Sequence, residues 1–175
     1  YKLNVKLFGL FFICTFLAYG IGSALVESLM GSGNSLITIY QHPNKLILAA
    51  ILMGIIHTVL NILLPVLMLP LLKPFNAVLS ITYLSLAITA TITLLFGVIF
   101  LLLLLPLSEH FFLNPDNKQS ILLASVFIKA NYYAYQIGMC LWGLAGLIFT
   151  YLLFVSRLVP RFIAIWGALG YLIFI

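Results

Sequence analysis

The chain has 175 residues, of which 65% are hydrophobic and 6% are charged, and its mean hydropathy is +1.27. Its 8 basic and 3 acidic side chains are too few to solvate the surface of a soluble domain, in which about 25% of residues are charged. These values exclude a soluble globular enzyme, a disordered region and a nucleic-acid-binding domain. They indicate an integral membrane protein, and the long apolar runs favour helices over a β-barrel.

Five apolar segments follow one another along the chain, separated by turn-forming residues such as those at 31–35 and 114–117. A helix needs about 20 residues to cross the hydrocarbon core. We therefore predict an all-α, polytopic transmembrane helix bundle that forms a single domain over residues 1–175. The five predicted spans cover approximately residues 3–25, 45–72, 77–107, 132–155 and 159–175.

The basic residues predict the orientation of these spans. If the spans alternate in direction, the side that holds the N-terminus carries Lys2, Lys6, Lys73, Arg157 and Arg161. The opposite side carries Lys45 and Lys118, and the acidic residues Glu27, Glu109 and Asp116 lie towards it. Because cytoplasmic loops are enriched in Lys and Arg, we expect a cytoplasmic N-terminus.

Glu27 lies late in the first segment. At that position a carboxylate can stay hydrated at the membrane interface, and a proton-relay role is the alternative.

The second segment has a polar face near its middle. His57, Thr58, Asn61 and Pro65 fall at helical spacings on one side. Pro65 cannot donate a backbone hydrogen bond, so the carbonyl of Asn61 is left without its usual partner. Two interpretations stay open: a site for a ligand, proton or ion around His57 and Asn61, or hydrogen bonding between packed helices.

The third segment carries small polar residues at spacings of three and four, namely Thr82, Ser85, Thr89 and Thr93. Such a stripe is typical of close helix packing, and it could also line a narrow polar path.

The fourth segment brings Lys129, Tyr132, Tyr133 and Gln136 to one side of a helix. Tyrosine and lysine at this level are typical of the membrane interface. The alternative is the outer mouth of an intramembrane pocket, where Lys129 meets an acidic residue or an anionic lipid headgroup.

Two junctions carry a distinctive sequence. One is Ser156-Arg157-Leu158-Val159-Pro160-Arg161, which precedes an aromatic and glycine-rich helix, and the other is Leu69-Pro70-Leu71-Leu72-Lys73-Pro74-Phe75-Asn76. Both resemble junctions of the bacterial membrane-protein family catalogued as domain of unknown function 4386. The resemblance implies a protein of the bacterial cytoplasmic membrane with about six helices, and hence a sixth helix in the full protein. It implies no activity, substrate or catalytic residue.

Lys73, Arg157 and Arg161 are candidate anchors on lipid phosphates, since arginine binds phosphate through paired hydrogen bonds. Docking of an acidic partner at the arginines is the alternative. The three histidines are not at metal-ligand spacing, Cys14 and Cys140 lie inside apolar runs, and no catalytic motif is present. We therefore expect no metal, cofactor or catalytic residue.

Three hypotheses for function remain. The preferred one is a non-enzymatic accessory protein or subunit that binds membrane lipid, a partner protein in a membrane complex, or a small hydrophobic ligand. The second is a small transporter or channel-like protein that uses the polar site around His57 and Asn61. The third is an intramembrane lipid-modifying enzyme.

Overall fold

The computed structural model describes residues 2–31, 34–115 and 117–175. Within these residues the fold consists of helices, and no strand is formed. The helices in chain order are α1 Lys2–Met30, α2 Ser35–Gln41, α3 Pro43–Ala50, a π-helical turn Ile51–Ile56, α4 His57–Leu72, α5 Ala77–Leu102, α6 Leu104–Leu113, α7 Lys118–Ser156 and α8 Arg161–Leu172.

Four helical stretches are long and apolar enough to cross a membrane. They are Lys2–Met30, Pro43–Leu72, Ala77–Leu113 and Lys118–Ser156. The prediction of an all-helical protein with several helices able to span a membrane is confirmed. The final helix, α8, is also apolar, but its 12 residues are fewer than a span requires.

Helix α7 begins at Lys118, directly after the turn-forming residues at 114–117, and thus extends N-terminally beyond the predicted span of residues 132–155. Its first turns mix polar and apolar residues, yet Ser120 and Ala124 are buried one turn apart on the same side. Packing of that side therefore extends the helix beyond its most apolar part. At the other junction, α8 begins directly after Pro160, whose fixed φ suits the start of a helix.

The contacts group into two compact units. Unit 1 comprises Tyr1–Cys14, Val59–Thr93 and Gln136–Ile175, and unit 2 comprises Thr15–Thr58 and Leu94–Tyr135.

The core of unit 1 is built from α4, α5, α7 and α8. Its buried apolar residues are Met68, Leu72, Tyr83, Ala87, Ala145, Phe149, Leu152, Leu153 and Ala164, and Phe8 of α1 packs against them. The rings of Tyr83 and Phe149 stack with their centres 5.0 Å apart. Aromatic residues thus form the middle of this core.

The core of unit 2 joins the short helices α2 and α6 to the ends of α1, α3, α5 and α7. Its buried apolar residues are Leu29, Leu36, Ile39, Leu46, Leu101, Leu104, Phe111 and Ala124. Tyr40 of α2 stacks on Phe112 of α6 with ring centres 4.0 Å apart. His110 Nδ1 lies 3.2 Å from Ser120 Oγ, which ties α6 to α7.

The π-helical turn interrupts the second spanning stretch just before His57. A π turn is rare, and it occurs most often as a single turn at functional sites. Gly54 lies inside this turn, where a Cβ would come within 3.2 Å of Val98 Cγ1. The absence of a side chain at residue 54 therefore allows close packing against α5 in unit 2.

Candidate functional site

Asn61 provides the amide side chain of the predicted polar face, and 1% of its surface is exposed. Its Nδ2 donates a hydrogen bond to Thr91 Oγ1 of α5 at 2.8 Å. Thr91 Oγ1 in turn donates to the carbonyl of Ala87, also at 2.8 Å. Asn61 Oδ1 is buried without a hydrogen-bond partner among the residues that the structure describes. Unit 1 therefore contains a buried acceptor that lacks a donor.

A small cavity of about 10 Å³ adjoins Asn61. Its lining residues all belong to unit 1 and half of them are aromatic: Phe8, Phe12, Asn61, Leu64, Pro65, Tyr83, Ala87, Trp142, Ala145, Gly146, Phe149 and Tyr171. One water molecule needs a cavity of about 10–15 Å³, counted as the volume that its centre can occupy. The cavity can therefore receive a group no larger than a water molecule without rearrangement.

Ring packing shapes the walls of this cavity. Phe149 lies 5.6 Å from Phe8, and Trp142 lies 5.7 Å from Tyr171, measured between ring centres. Gly146 makes the second of these contacts possible, because a Cβ on residue 146 would collide with the ring of Tyr171. A glycine of α7 thus lets α8 place an aromatic ring beside the cavity.

The cavity has mainly apolar, aromatic walls, and Asn61 is one of the residues that line it. Ligand pockets commonly have this composition, in which a few polar groups orient a mostly apolar molecule. The sequence of unit 1 contains no Asp or Glu, so no carboxylate of this unit can neutralise a cationic ligand. The walls suit a small uncharged group.

His57 is also buried, with 6% of its surface exposed, and it lies in unit 2. Its ring packs at 4.8 Å from that of Tyr19, which stacks on Tyr135 at 6.0 Å. His57 Nδ1, Thr58 Oγ1 and Thr15 Oγ1 are buried without hydrogen-bond partners within the described part of the chain. Unit 2 therefore has its own group of unpaired polar atoms.

The predicted stripe on α5 bonds to its own helix. Thr89 Oγ1 donates to the carbonyl of Ser85 at 2.9 Å, and Thr93 Oγ1 donates to that of Thr89 at 2.9 Å. Thr89 and Ser85 are exposed on the chain, whereas Thr91 is fully buried. The structure therefore brings Thr91, and not these residues, to Asn61.

The predicted site residues of α7 and the first segment lie on the surface. Lys129, Tyr133 and Gln136 of α7 and Glu27 of α1 are all exposed. Exposure of Tyr133 and Lys129 is compatible with both interpretations of this region, the membrane interface and the mouth of a pocket.

The basic anchor candidates Lys73, Arg157 and Arg161 are exposed too. The guanidinium carbon of Arg161 lies 5.2 Å from the ring centre of Phe154, within the range of a cation–π contact. Arg157 ends α7 with a φ of 55°, the left-handed conformation that usually favours glycine. The junction before α8 therefore holds two arginines in defined conformations.

Sequence reasoning identified Asn61 and Pro65 but missed the rest of the cavity. Thr91 lies outside the predicted stripe of small polar residues on α5. In the sequence, the aromatic residues are typical of core or lipid-facing positions. The only signal for the cavity was the buried asparagine itself, which needs a partner on a neighbouring helix. No group of three potential metal ligands is formed within the described ranges.

Comparison with known proteins adds the family of the chain. No curated protein and no solved structure matches it. The family model described as "Domain of unknown function (DUF4386)" matches residues 7–175, which is nearly the whole sequence. The chain therefore belongs to the DUF4386 family.

Proposed function

We propose that this protein is a non-enzymatic membrane protein whose unit 1 binds a small hydrophobic ligand or a membrane lipid, either alone or as a subunit of a membrane complex. The observation that carries the proposal is the aromatic cavity that Asn61 helps to line, together with the Oδ1 of that residue, which is buried without a hydrogen-bond partner in the described structure. An unsatisfied buried acceptor costs on the order of 1–3 kcal/mol, and a ligand that satisfies it recovers that cost.

The distribution of charge supports a defined orientation in the bacterial cytoplasmic membrane. All basic residues of unit 1 lie at or near helix ends: Lys2, Lys6, Lys73, Arg157 and Arg161. With no acidic residue in its sequence, unit 1 carries a formal charge of +5, which equals the charge of the whole chain. By the positive-inside rule these ends face the cytoplasm, together with the N-terminus. Lys73 and the two arginines then lie at the depth of lipid phosphates.

The same alternation assigns α8 as the beginning of a fifth crossing. Its exposed apolar side chains, among them Phe162 and Trp166, are suited to lipid. Ile173-Phe174-Ile175, which follow Leu172, continue the apolar sequence of this helix.

A second candidate is a small transporter or channel-like protein. It is favoured by one observation, the unpaired atoms of His57, Thr58 and Thr15 next to a π-helical turn. Unpaired ionisable groups inside a membrane mark proton and ion pathways in many membrane proteins. Proton flux into vesicles that contain the purified wild-type protein, measured without any added substrate, would favour this candidate. Absence of proton flux with the wild type as well as with His57→Leu would weigh against it.

Filling the cavity tests the preferred function. Ala87 lines the cavity, whereas Ala90 on the same helix is also buried and is not one of its lining residues. We expect native mass spectrometry to find a co-purifying small molecule on the wild type and on Ala90→Leu, and to find its occupancy reduced at least tenfold on Ala87→Leu. Equal occupancy on both variants, or a bare wild-type chain, would contradict the proposal.

A further inference from the structure

The basic side chains of unit 1 have no acidic partner in that unit. They are Lys2, Lys6, Lys73, Arg157 and Arg161, and all five are exposed. The sequence of unit 1 contains no Asp or Glu, so no carboxylate of this unit can neutralise them. Their positive charge is therefore available to an anion from outside the unit.

A hydrogen bond between α1 and α4 brings three of these cations together. Asn4 Nδ2 donates to the carbonyl of Leu67 at 3.4 Å. Lys2 and Lys6 stand two residues before and after Asn4. Leu67 lies in the last two turns of α4, and Lys73 directly follows that helix. The N-terminal lysines therefore lie beside the end of α4 that carries Lys73.

The two arginines flank a contact with the same core. Val159 stands midway between Arg157 and Arg161, and it packs against the buried core of unit 1. That core also contains Leu72, the residue directly before Lys73. All five cations thus surround one end of the unit 1 core.

The surroundings of the arginines suit an amphiphile. Arg157 is followed by Leu158, which is 45% exposed, and Arg161 is followed by Phe162, which is 71% exposed. A guanidinium binds a phosphate through paired hydrogen bonds, and an exposed apolar side chain can contact an acyl chain. A soluble acidic peptide would use only the charges, whereas a phospholipid uses both kinds of surface.

The cations form two groups, which suits a lipid with two phosphates. One group belongs to α1 and the end of α4, and the other belongs to the junction of α7 and α8. Basic surfaces between membrane helices bind doubly charged headgroups such as that of cardiolipin. When two phosphates are linked, the second one binds at a high effective concentration once the first is bound.

We propose that this end of unit 1 binds an anionic lipid with two linked phosphates, of the cardiolipin type. None of the five cations is among the residues that line the cavity at Asn61. The proposal therefore names a second site and goes beyond the proposed function.

Native mass spectrometry of the delipidated full chain in detergent tests the proposal with defined probes. The probes are tetraoleoyl cardiolipin, dioleoylphosphatidylglycerol with one phosphate, and dioleoylphosphatidylcholine without net charge. At equal phosphate concentration we expect an apparent Kd for cardiolipin about tenfold below that for phosphatidylglycerol, and the weakest binding for phosphatidylcholine. Inorganic pyrophosphate at the same concentration should not displace the cardiolipin.

Two double variants each remove one group of cations. Lys2→Gln/Lys6→Gln should raise the Kd for cardiolipin about twentyfold, because each basic residue near an anionic headgroup contributes about fivefold. Arg157→Gly/Arg161→Gln should have an effect of similar size. Glycine is used at residue 157 because it adopts the left-handed conformation that Arg157 has.

The matched control is Lys45→Gln/Lys118→Gln, which removes two exposed lysines from unit 2. It should change the Kd by less than about twofold, since distant charges are screened. An equal loss of binding in the control would mean general attraction between charges and would overturn the proposal. Equal Kd values for cardiolipin and phosphatidylglycerol would overturn the two-phosphate surface, and displacement by pyrophosphate would mean a site for free phosphate. The Lys2→Gln/Lys6→Gln variant decides alone if the arginine variant does not fold.

Discussion

Asn61 of α4 and Thr91 of α5 are joined by a hydrogen bond of 2.8 Å between two side chains that are almost entirely buried. The bond uses one hydrogen of the Asn61 amide and leaves the carbonyl oxygen of that amide free. A single contact thus joins two spanning stretches and leaves one buried acceptor of Asn61 unpaired.

Replacement of Thr91 by valine should destabilise the fold more than replacement of Asn61 by leucine. Thr91→Val strands Asn61 Nδ2 in the core, and we expect a loss of roughly 0.5–2 kcal/mol in the free energy of unfolding. Asn61→Leu removes both the donor and the unpaired acceptor. The double variant should therefore be more stable than the sum of the single effects predicts, as measured by reversible unfolding in bicelles. Strict additivity would mean that the two side chains are not coupled.

Alanine should act in opposite directions at two glycines. A Cβ at Gly146 collides with the ring of Tyr171, so Gly146→Ala should lower the free energy of unfolding by about 1–3 kcal/mol. A Cβ at Gly170 meets no atom within 4 Å, and Gly170 lies inside α8. Gly170→Ala should then be neutral or stabilise by up to about 1 kcal/mol. Thermal unfolding of the two variants measures both effects, and equal midpoints would contradict the close packing of Tyr171 on α7.

Replacement of His57 by leucine should raise the midpoint of thermal unfolding or leave it unchanged. The His57 Nδ1 atom is buried without a partner in the described structure, and such a group lowers stability. The exposed His42 serves as a control, because His42→Leu removes the same side chain without relieving a buried polar atom. A clear loss of stability in His57→Leu, larger than that in His42→Leu, would show that His57 has a structural partner.

Two substitutions of Arg157, the left-handed residue that follows α7, distinguish the role of its charge from that of its backbone conformation. Arg157→Gly and Arg157→Ala both remove the guanidinium, but only glycine adopts a φ of 55° without cost. Arg157→Gly should be more stable than Arg157→Ala by about 1 kcal/mol. If both variants lose binding to vesicles that contain anionic lipid to the same extent, the charge acts as a lipid anchor. Identical stability of the two variants would contradict the strained conformation.

The orientation can be read from single cysteines in a chain in which Cys14 and Cys140 are replaced by alanine. Lys73 follows α4 and Gln119 lies in the first turn of α7, and both are exposed. In intact cells a membrane-impermeant maleimide should label Gln119→Cys, and it should label Lys73→Cys only after the cells are opened. Labelling of both cysteines from the same side would overturn the proposed topology.

The sequence was sufficient for those features that depend on the energy of single residues in a membrane. Long apolar runs located the spanning helices, and the cost of a polar group in hydrocarbon singled out His57 and Asn61, both of which are buried. Helix α7 extends N-terminally beyond the predicted span of residues 132–155, because the helical packing of Ser120 and Ala124 continues where hydropathy falls.

Features that depend on tertiary contacts could not be predicted in this way. The four-residue spacing of Thr89 and Thr93 defines one face of the helix. Thr91 lies two residues from each of them, and therefore its side chain points to almost the opposite side. The cavity walls come from Phe8, Trp142 and Tyr171, which are far apart in the chain. No local pattern connects such residues.

The most direct test of the ligand-binding proposal is an experimental structure of the protein extracted with its native lipids into polymer nanodiscs. We predict density that enters the cavity of unit 1 between Asn61 and Trp142 and continues outward along the apolar surface. A cavity that holds a single isolated water, or is closed by the rings of Phe149 and Tyr171, would contradict the proposal.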